Sequence, residues 1–198
     1  DLLPKLGLNH IEWIVTYENF HNNPIFYKNI SDYPISSVCA DFMVSDKFYD
    51  SDYLKKYLEP LCLAVEHNNI KNITIPLLEN SSVEEKDIRH KFMKVFYPYT
   101  KQFKNINFLL EAELHQEKLK KMVDFNTNLF VTYDTGNITS CDLNHEDYIF
   151  ELTDKIKQVH IKDRIRNPLE TVEPTTGDTD FELIFNYLPI VFGILFAF

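Results

Sequence analysis

Glycine is scarce in this chain, with four residues among 198, and no G-x-G-x-x-G motif follows any of its apolar segments. A loop that cradles phosphates needs closely spaced glycines, so the sequence does not indicate a dinucleotide-binding fold. Cysteine is scarce as well. The three cysteines are an odd number and lack C-x-x-C spacing, which argues against a disulfide framework and a zinc knuckle and favours a reducing, cytoplasmic setting.

Basic residues and long apolar runs are also few. Twenty Lys and Arg stand against thirty Asp and Glu, and a formal charge of -10 repels phosphodiester backbones, so no nucleic-acid partner is expected. The apolar run IVFGILFAF, at 190–198, is far shorter than the ~20 residues that span a bilayer, so no membrane partner is expected. No basic and apolar leader precedes Asp1, and the chain is expected to be a fragment.

What the sequence does contain is a regular alternation of two patterns. Charged stretches with apolar residues at three- and four-residue steps predict amphipathic helices at 51–67, 83–103 and 144–156. Between and around them, six short β-branched segments predict buried strands: HIEWIV (10–15), ISSVCAD (35–41), NITIPLL (72–78), NINFLLE (105–111), NLFVTYD (128–134) and KQVHIKD (157–163). Such alternation predicts an α/β fold with parallel strands joined by helical crossovers.

Polar residues at the carboxyl ends of these strands favour a (β/α)8 TIM barrel over a doubly wound sheet, because barrel enzymes build their sites there. The residues are Asp41, Glu79, Glu111, Asp134 and His160. A full barrel takes ~250 residues, so we expect one incomplete barrel domain over 1–198, without the first strand and with the last strand absent or altered. Residues 189–198 are expected to form a divergent apolar end. The open edges favour a homo-oligomer.

Glu111, Asp134 and His160 end, or nearly end, three successive predicted strands. Parallel register would bring them together, and two carboxylates with one imidazole suit a divalent cation such as Mn²⁺, Mg²⁺, Co²⁺ or Zn²⁺. The alternative from the residues alone is structural. Asp134 would cap a turn, Glu111 would begin a helix and His160 would be a core histidine.

Three segments, LFVTYDTGNITSCDLNHEDY, KQVHIKDRIRNPLE and TTGDTDFELIF, resemble the sixth and seventh β/α units of the xylose-isomerase-like TIM barrel family of sugar-phosphate isomerases and epimerases. Upstream, NHIEWI is similar to the second strand of that family, ITIPLLENSS to the fourth and INFLLEAEL to the fifth. The resemblance covers roughly residues 1–188. In the TTGDTD segment, Thr175 stands where the family often has glycine, so the shape of that loop is expected to be altered.

The resemblance implies that Glu111, Asp134 and His160 are three of four ligands of one divalent metal ion. The fourth, a carboxylate on the last strand, has no counterpart, because PIVFGILFAF follows Leu188. The implied activity is isomerisation or epimerisation of a small-molecule sugar or sugar phosphate. Proton transfer would run through an ene-diolate, with Glu111 as the catalytic base.

Several further residues are predicted to bind substrate. The cations Lys162, Arg164 and Arg166 follow the His160 strand, where they would hold phosphate or hydroxyl groups or form a solvated basic turn. The remaining predicted contacts are Glu12, whose alternative is an ion pair in the barrel, Glu79, whose alternative is a helix cap, and Asn137.

Two other functions compete with the isomerase. A DNA-repair endonuclease with the same barrel cleaves abasic sites with three metal ions, and it requires a histidine three residues after the aspartate of the sixth strand. Asn137 occupies that position here. The other alternative is a degenerate barrel that binds a metal or a sugar without turnover, which the missing fourth carboxylate supports.

Overall fold

The computed structural model describes residues 5, 7–30, 33–188 and 195–197, the last three through their backbone alone. The chain divides into two compact units, Asp1–Phe108 and Leu109–Phe198. The single domain over 1–198 stays a prediction. Most of the predicted divergent end, residues 189–194 and 198, lies outside the described residues.

Unit 1 contains three neighbouring parallel strands, β1 (Ile11–Ile14), β2 (Ile35–Cys39) and β3 (Asn72–Leu77). β1 pairs with β2 and β2 with β3, and the register places Val38 opposite Ile73. Both of these side chains are fully buried, as β-branched residues in the interior of a covered parallel sheet are expected to be. The next strand, β4 (Asn107–Ala112), begins in this unit, where Asn107 N donates to Lys71 O at 2.7 Å.

Unit 1 contains two long helices, each with a buried face. α1 (Ser51–His67) has the predicted bounds, and the Asp50 carboxylate caps it by accepting hydrogen bonds from Asp52 N and Tyr53 N. Its buried residues recur at three- and four-residue steps: Tyr53, Leu54, Tyr57, Leu58, Leu61, Cys62 and Val65. α2 (Lys86–Gln102) lies within the predicted stretch 83–103. Short 3-10 helices occupy Phe20–Asn22, Pro24–Phe26, Asp41–Met43 and Glu79–Ser81.

Unit 2 continues the alternation of strand and helix. Its strands lie in the order β4, β5 (Leu129–Asp134), β6 (Ile156–His160) and β9 (Leu195–Ala197), and the helices are α3 (Gln116–Val123), α4 (Thr135–Ser140), α5 (His145–Leu152) and α6 (Phe181–Tyr187). β5 pairs parallel to β6, with Asp134 opposite His160. β6 pairs parallel to β9, with His160 opposite Ala197. All six predicted strands are therefore confirmed, and the apolar end contributes a seventh, short strand.

A two-stranded antiparallel hairpin follows β6, formed by β7 (Asp163–Arg166) and β8 (Leu169–Val172). The sequence predicted one strand over 157–163, but β6 ends at His160 and the hairpin begins at Asp163. Asp163 is fully buried and accepts hydrogen bonds from Gly177 N at 2.8 Å and Thr179 N at 3.1 Å. These long-range bonds, which no local pattern shows, hold the segment 177–179 against the hairpin. Within the described residues, no helix is long and apolar enough to cross a membrane.

Candidate metal centre

Three ligand-type side chains of unit 2 converge at the carboxyl ends of its strands. One ligand atom each from Glu111, Asp134 and His160 lies within 4.8 Å of the other two. His160 Nδ1 is 3.4 Å from Glu111 Oε2 and 4.0 Å from Asp134 Oδ2. Both carboxylates are buried, Glu111 with 5% and Asp134 with 2% of its surface exposed. The structure thus brings together the three residues that the sequence predicted as metal ligands.

The strands explain why these residues meet. Asp134 and His160 are the last residues of β5 and β6 and are opposite each other in parallel register, so their side chains leave the sheet on the same side. Glu111 is the fifth residue of β4, which neighbours β5, and it does not begin a helix. The structural alternative for Glu111 is therefore wrong. For Asp134 it is half right, because Asp134 is also the N-cap of α4.

Asn137 orients both carboxylates. Its backbone N donates to Asp134 Oδ1 at 2.8 Å, and its side-chain Nδ2 donates to Glu111 Oε1 at 3.0 Å. One oxygen of each carboxylate is therefore held by Asn137, and the other oxygen of each is the one that His160 Nδ1 approaches. Asn137 is itself 2% exposed. The structure gives it a positioning contact to the predicted ligands, whereas its contact with substrate stays a prediction.

Lys162 also reaches this centre. Its Nζ lies 3.0 Å from Asp134 Oδ2, in an ion pair between a partly exposed ammonium and a buried carboxylate. Lys162 lies two residues after His160, a spacing that places both side chains on the same side of an extended chain. No signal in the sequence indicated that its partner is a candidate metal ligand.

The electrostatics of the centre favour a bound cation. Burial raises the pKa of Glu111, and the neighbouring Asp134 carboxylate raises it further, whereas the hydrogen bond and charge of His160 oppose the shift. Two buried carboxylates close together are costly when both are ionised, and a divalent ion would remove that cost.

The buried oxygen atoms of the centre also fit a divalent ion. Among the described residues, no hydrogen bond reaches the buried Asn137 Oδ1, whereas Asp134 Oδ2 is contacted by the Lys162 ammonium. A buried oxygen without a donor is unfavourable, and such atoms mark positions where an ion or a polar ligand binds. Asp134 Oδ2 lies 4.0 Å from His160 Nδ1, and carboxylate oxygens and imidazole nitrogens are ligands of divalent cations such as Mn²⁺, Mg²⁺ and Zn²⁺.

The two predicted arginines lie farther along the chain on β7. Arg166 is exposed and its Nη1 pairs with Asp142 Oδ1 at 2.9 Å. Arg164 is half-buried, and no hydrogen bond within the described residues reaches its buried Nε. Neither arginine is in contact with the three predicted ligands in the bonds that the structure shows, so their binding of substrate stays a prediction.

The predicted contacts Glu12 and Glu79 belong to unit 1. Glu12 Oε1 accepts hydrogen bonds from Ser37 Oγ at 3.0 Å and Thr74 Oγ1 at 2.8 Å, which ties β1 to β2 and β3. Glu79 is exposed and does not cap the next helix, because the N-cap residue of α2 is Glu85. Glu79 instead helps to line an open cavity of about 950 Å³ whose wall also includes Tyr17, Asp41, Tyr53, Lys56 and Tyr57.

Sequence reasoning missed a buried polar cluster behind β5. The sequence shows no partner for His145, but the structure places it half-buried with its ring nitrogens bonded to the hydroxyls of Tyr133 and Thr139. Thr139 Oγ1 also lies 2.9 Å from Thr179 Oγ1. Burial lowers the pKa of His145 to about 4, and the charge of Arg166 adds to the effect. His145 comes eleven residues after Asp134 in the sequence, and no spacing rule connects it with Tyr133.

No family model and no curated protein matches this sequence. Solved structures do match. A xylose isomerase domain protein from Planctomyces limnophilus aligns with a TM-score of 0.72 and 12% identity over 100% of this chain and 84% of its own. D-Allulose 3-epimerase from Methylomonas sp., in complex with D-allulose, aligns with a TM-score of 0.72 and 15% identity over 96% of this chain and 73% of its own. The IOLI protein with a bound zinc atom aligns with a TM-score of 0.70 and 16% identity over 99% of this chain and 81% of its own.

The chain has the xylose isomerase-like TIM-barrel fold. The fold that the motifs predicted, an incomplete (β/α)8 barrel with parallel strands, is thereby confirmed. Identities of this size show the fold and not the activity. A probable 3-DHS dehydratase, AsbF, from Bacillus anthracis shares the same xylose isomerase-like fold at a TM-score of 0.76 and 14% identity, over 98% of this chain and 83% of its own. The reaction must therefore be argued from the site.

Proposed function

We propose that this protein is a metal-dependent isomerase or epimerase of a sugar or sugar phosphate, which works by proton transfer through an ene-diolate. The observation that carries the proposal is the convergence of Glu111, Asp134 and His160 at the ends of β4, β5 and β6. In a TIM barrel this end of the strands is where catalytic residues collect. Structural neighbours that include a D-allulose 3-epimerase and a zinc-bound protein support the same class of function.

The three ligands would hold one divalent ion, which supplies positive charge for adjacent hydroxyl and carbonyl oxygens of a sugar. Glu111 is the proposed base for the carbon-bound proton, and Asn137 Nδ2 holds its Oε1. Asn137 keeps the Glu111 carboxylate from rotating, and its own Oδ1 is an acceptor for a substrate hydroxyl.

The same residues are also compatible with a protein that binds its ligand without converting it. The sequence from Leu188 to Phe198 contains no acidic residue, and Ala197 is the residue in register with His160 on the neighbouring strand. The carboxylate that the family resemblance implies on the last strand is therefore not found among residues 188–198. If turnover needs that second acid or base, the protein would bind a metal or sugar without converting it.

Metal stoichiometry is the experiment that tests the proposal. The protein is loaded with Mn²⁺, desalted and analysed by native mass spectrometry beside the Asp134→Ala variant. Asp142→Ala is the matched control, since it removes an exposed carboxylate of the same unit. We expect one ion in the wild type and in Asp142→Ala, and none in Asp134→Ala. Three ions would favour the nuclease, and no ion in the wild type would refute the proposed centre.

Turnover is then tested with sugars and sugar phosphates in D₂O. Proton transfer through a carboxylate predicts that solvent deuterium enters the sugar carbon. Conversion of a sugar without deuterium incorporation would point to a hydride shift and would refute Glu111 as the base. Metal binding without conversion of any sugar tested would favour the binding-only protein.

A further inference from the structure

Lys162 places a positive charge where a metal ion is expected to bind. Its Nζ lies 3.0 Å from Asp134 Oδ2, and the Asp134 side chain is 1% exposed whereas that of Lys162 is 36% exposed. The lysine thus reaches inward from a partly exposed position to a carboxylate that water scarcely reaches.

The surrounding residues fix this lysine in place. Thr135 Oγ1 accepts a hydrogen bond from Lys162 N at 2.9 Å and donates one to Lys162 O at 2.6 Å. The lysine stem runs directly over Gly136, where an added Cβ would lie 3.0 Å from Lys162 Cβ, 3.1 Å from Cγ and 3.2 Å from Cδ. The two hydrogen bonds from Thr135 fix the backbone of Lys162, and the close contact with Gly136 directs its aliphatic stem toward Asp134.

Lysine and metal would use the same oxygen of Asp134. Oδ1 is occupied by the hydrogen bond from Asn137 N, so Oδ2 is the atom available to a metal ion. Oδ2 is also the atom that Lys162 Nζ contacts, and it is one of the group that converges with Glu111 and His160. Two cations cannot share one carboxylate oxygen at bonding distance without strong repulsion, because the interaction between like charges in such a buried position is only weakly screened.

We propose that Lys162 is an internal counter-ion of the metal centre, which neutralises Asp134 in the metal-free protein and has to withdraw when a metal ion binds. The inference rests on the proposed metal centre. The lysine stabilises the empty site and lowers its affinity for metal. Because 36% of its side chain is already exposed, the ammonium can turn toward solvent or toward a substrate anion without disturbing the backbone that Thr135 holds.

The test compares Mn²⁺ affinity and metal-free stability in one set of variants. Lys162→Met removes the ammonium and keeps the length of the stem, and Lys162→Gln keeps a polar end in case the methionine variant does not fold. Lys121→Met is the control for net charge, because Lys121 is an exposed lysine of the same unit. Isothermal titration calorimetry gives the Kd for Mn²⁺, and thermal unfolding in the presence of a chelator gives the stability of the metal-free state.

We expect a Kd on the order of tenfold lower in the Lys162 variants than in the wild type, together with a lower metal-free Tm. Lys121→Met should match the wild type in both. If Lys162 served only to stabilise the fold, its replacement would lower the metal-free Tm and leave the Kd for Mn²⁺ unchanged. If the wild type binds Mn²⁺ and the Lys162 variants bind it equally or more weakly, the counter-ion is refuted and the metal centre stands. If none of the proteins binds Mn²⁺, the metal centre itself is refuted and the counter-ion with it.

Discussion

Gly177 is the position where the structure makes its sharpest prediction about stability. A Cβ added there would lie 2.5 Å from Asp163 Oδ1, 2.8 Å from Asp163 Cγ and 2.8 Å from Val172 Cγ2. Real Cβ atoms do not approach other atoms so closely, so Gly177→Ala has to displace Asp163 or the hairpin strand β8. Neither can yield easily, because Asp163 is fully buried and Val172 is paired with it across the hairpin.

The expected cost follows from what is displaced. Overpacking in a closely packed position costs about 1–3 kcal/mol. The Asp163 carboxylate also accepts from Gly177 N and Thr179 N, and weakening one charge-assisted bond adds on the order of 1.5 kcal/mol. We therefore expect Gly177→Ala to lower the free energy of unfolding by about 3 kcal/mol. In a chain of this length that is a fall in Tm of roughly 6–12 °C.

A double-mutant cycle identifies the cause. Urea unfolding is measured for the wild type, Gly177→Ala, Asp163→Ala and the double variant. In the Asp163→Ala background the added methyl meets only Val172, so Gly177→Ala should cost less there, with a coupling of at least about 1 kcal/mol. Equal costs of Gly177→Ala in the two backgrounds would refute the proposed contact with Asp163.

Two further predictions concern the same unit. Thr175 has a φ of 77°, in the left-handed region that glycine adopts readily and β-branched residues rarely do, so the loop keeps a glycine-like backbone at this position. Thr175→Gly should raise the free energy of unfolding by about 0.5–1 kcal/mol, and a destabilised variant in urea unfolding would contradict this. His145 has a folded-state pKa of about 4, below the ~6.5 of an unfolded histidine, so the unfolded chain binds a proton first and stability is lost as the pH falls from 6.5 to 4. His145→Gln should remove about 1–2 kcal/mol of that loss, allowing for the partial exposure of the ring. The free energy of unfolding is measured against pH, and curves that run parallel for the variant and the wild type would show that the pKa of His145 is not shifted.

The sequence by itself determined the strands, one long helix and the three predicted metal ligands. Each of these depends on short-range pattern. β-branched runs buried on both faces mark the strands, the three- and four-residue steps of α1 mark its buried face, and the end of a parallel strand marks Asp134 and His160. Once strands are parallel and neighbouring, their last residues must lie side by side, so the grouping followed from topology without any knowledge of side-chain contacts.

The tertiary structure alone decided what these ligands touch. Asn137 holds one oxygen of each carboxylate, Lys162 pairs with Asp134, and His145 is buried against Tyr133. The hairpin that begins at Asp163 is another case, since its anchor is a loop more than ten residues away. These contacts depend on the direction in which a side chain leaves the backbone and on which distant segment fills the space beside it. Neither is encoded in the periodicity of a single segment, because the partners are brought together by the packing of the whole unit.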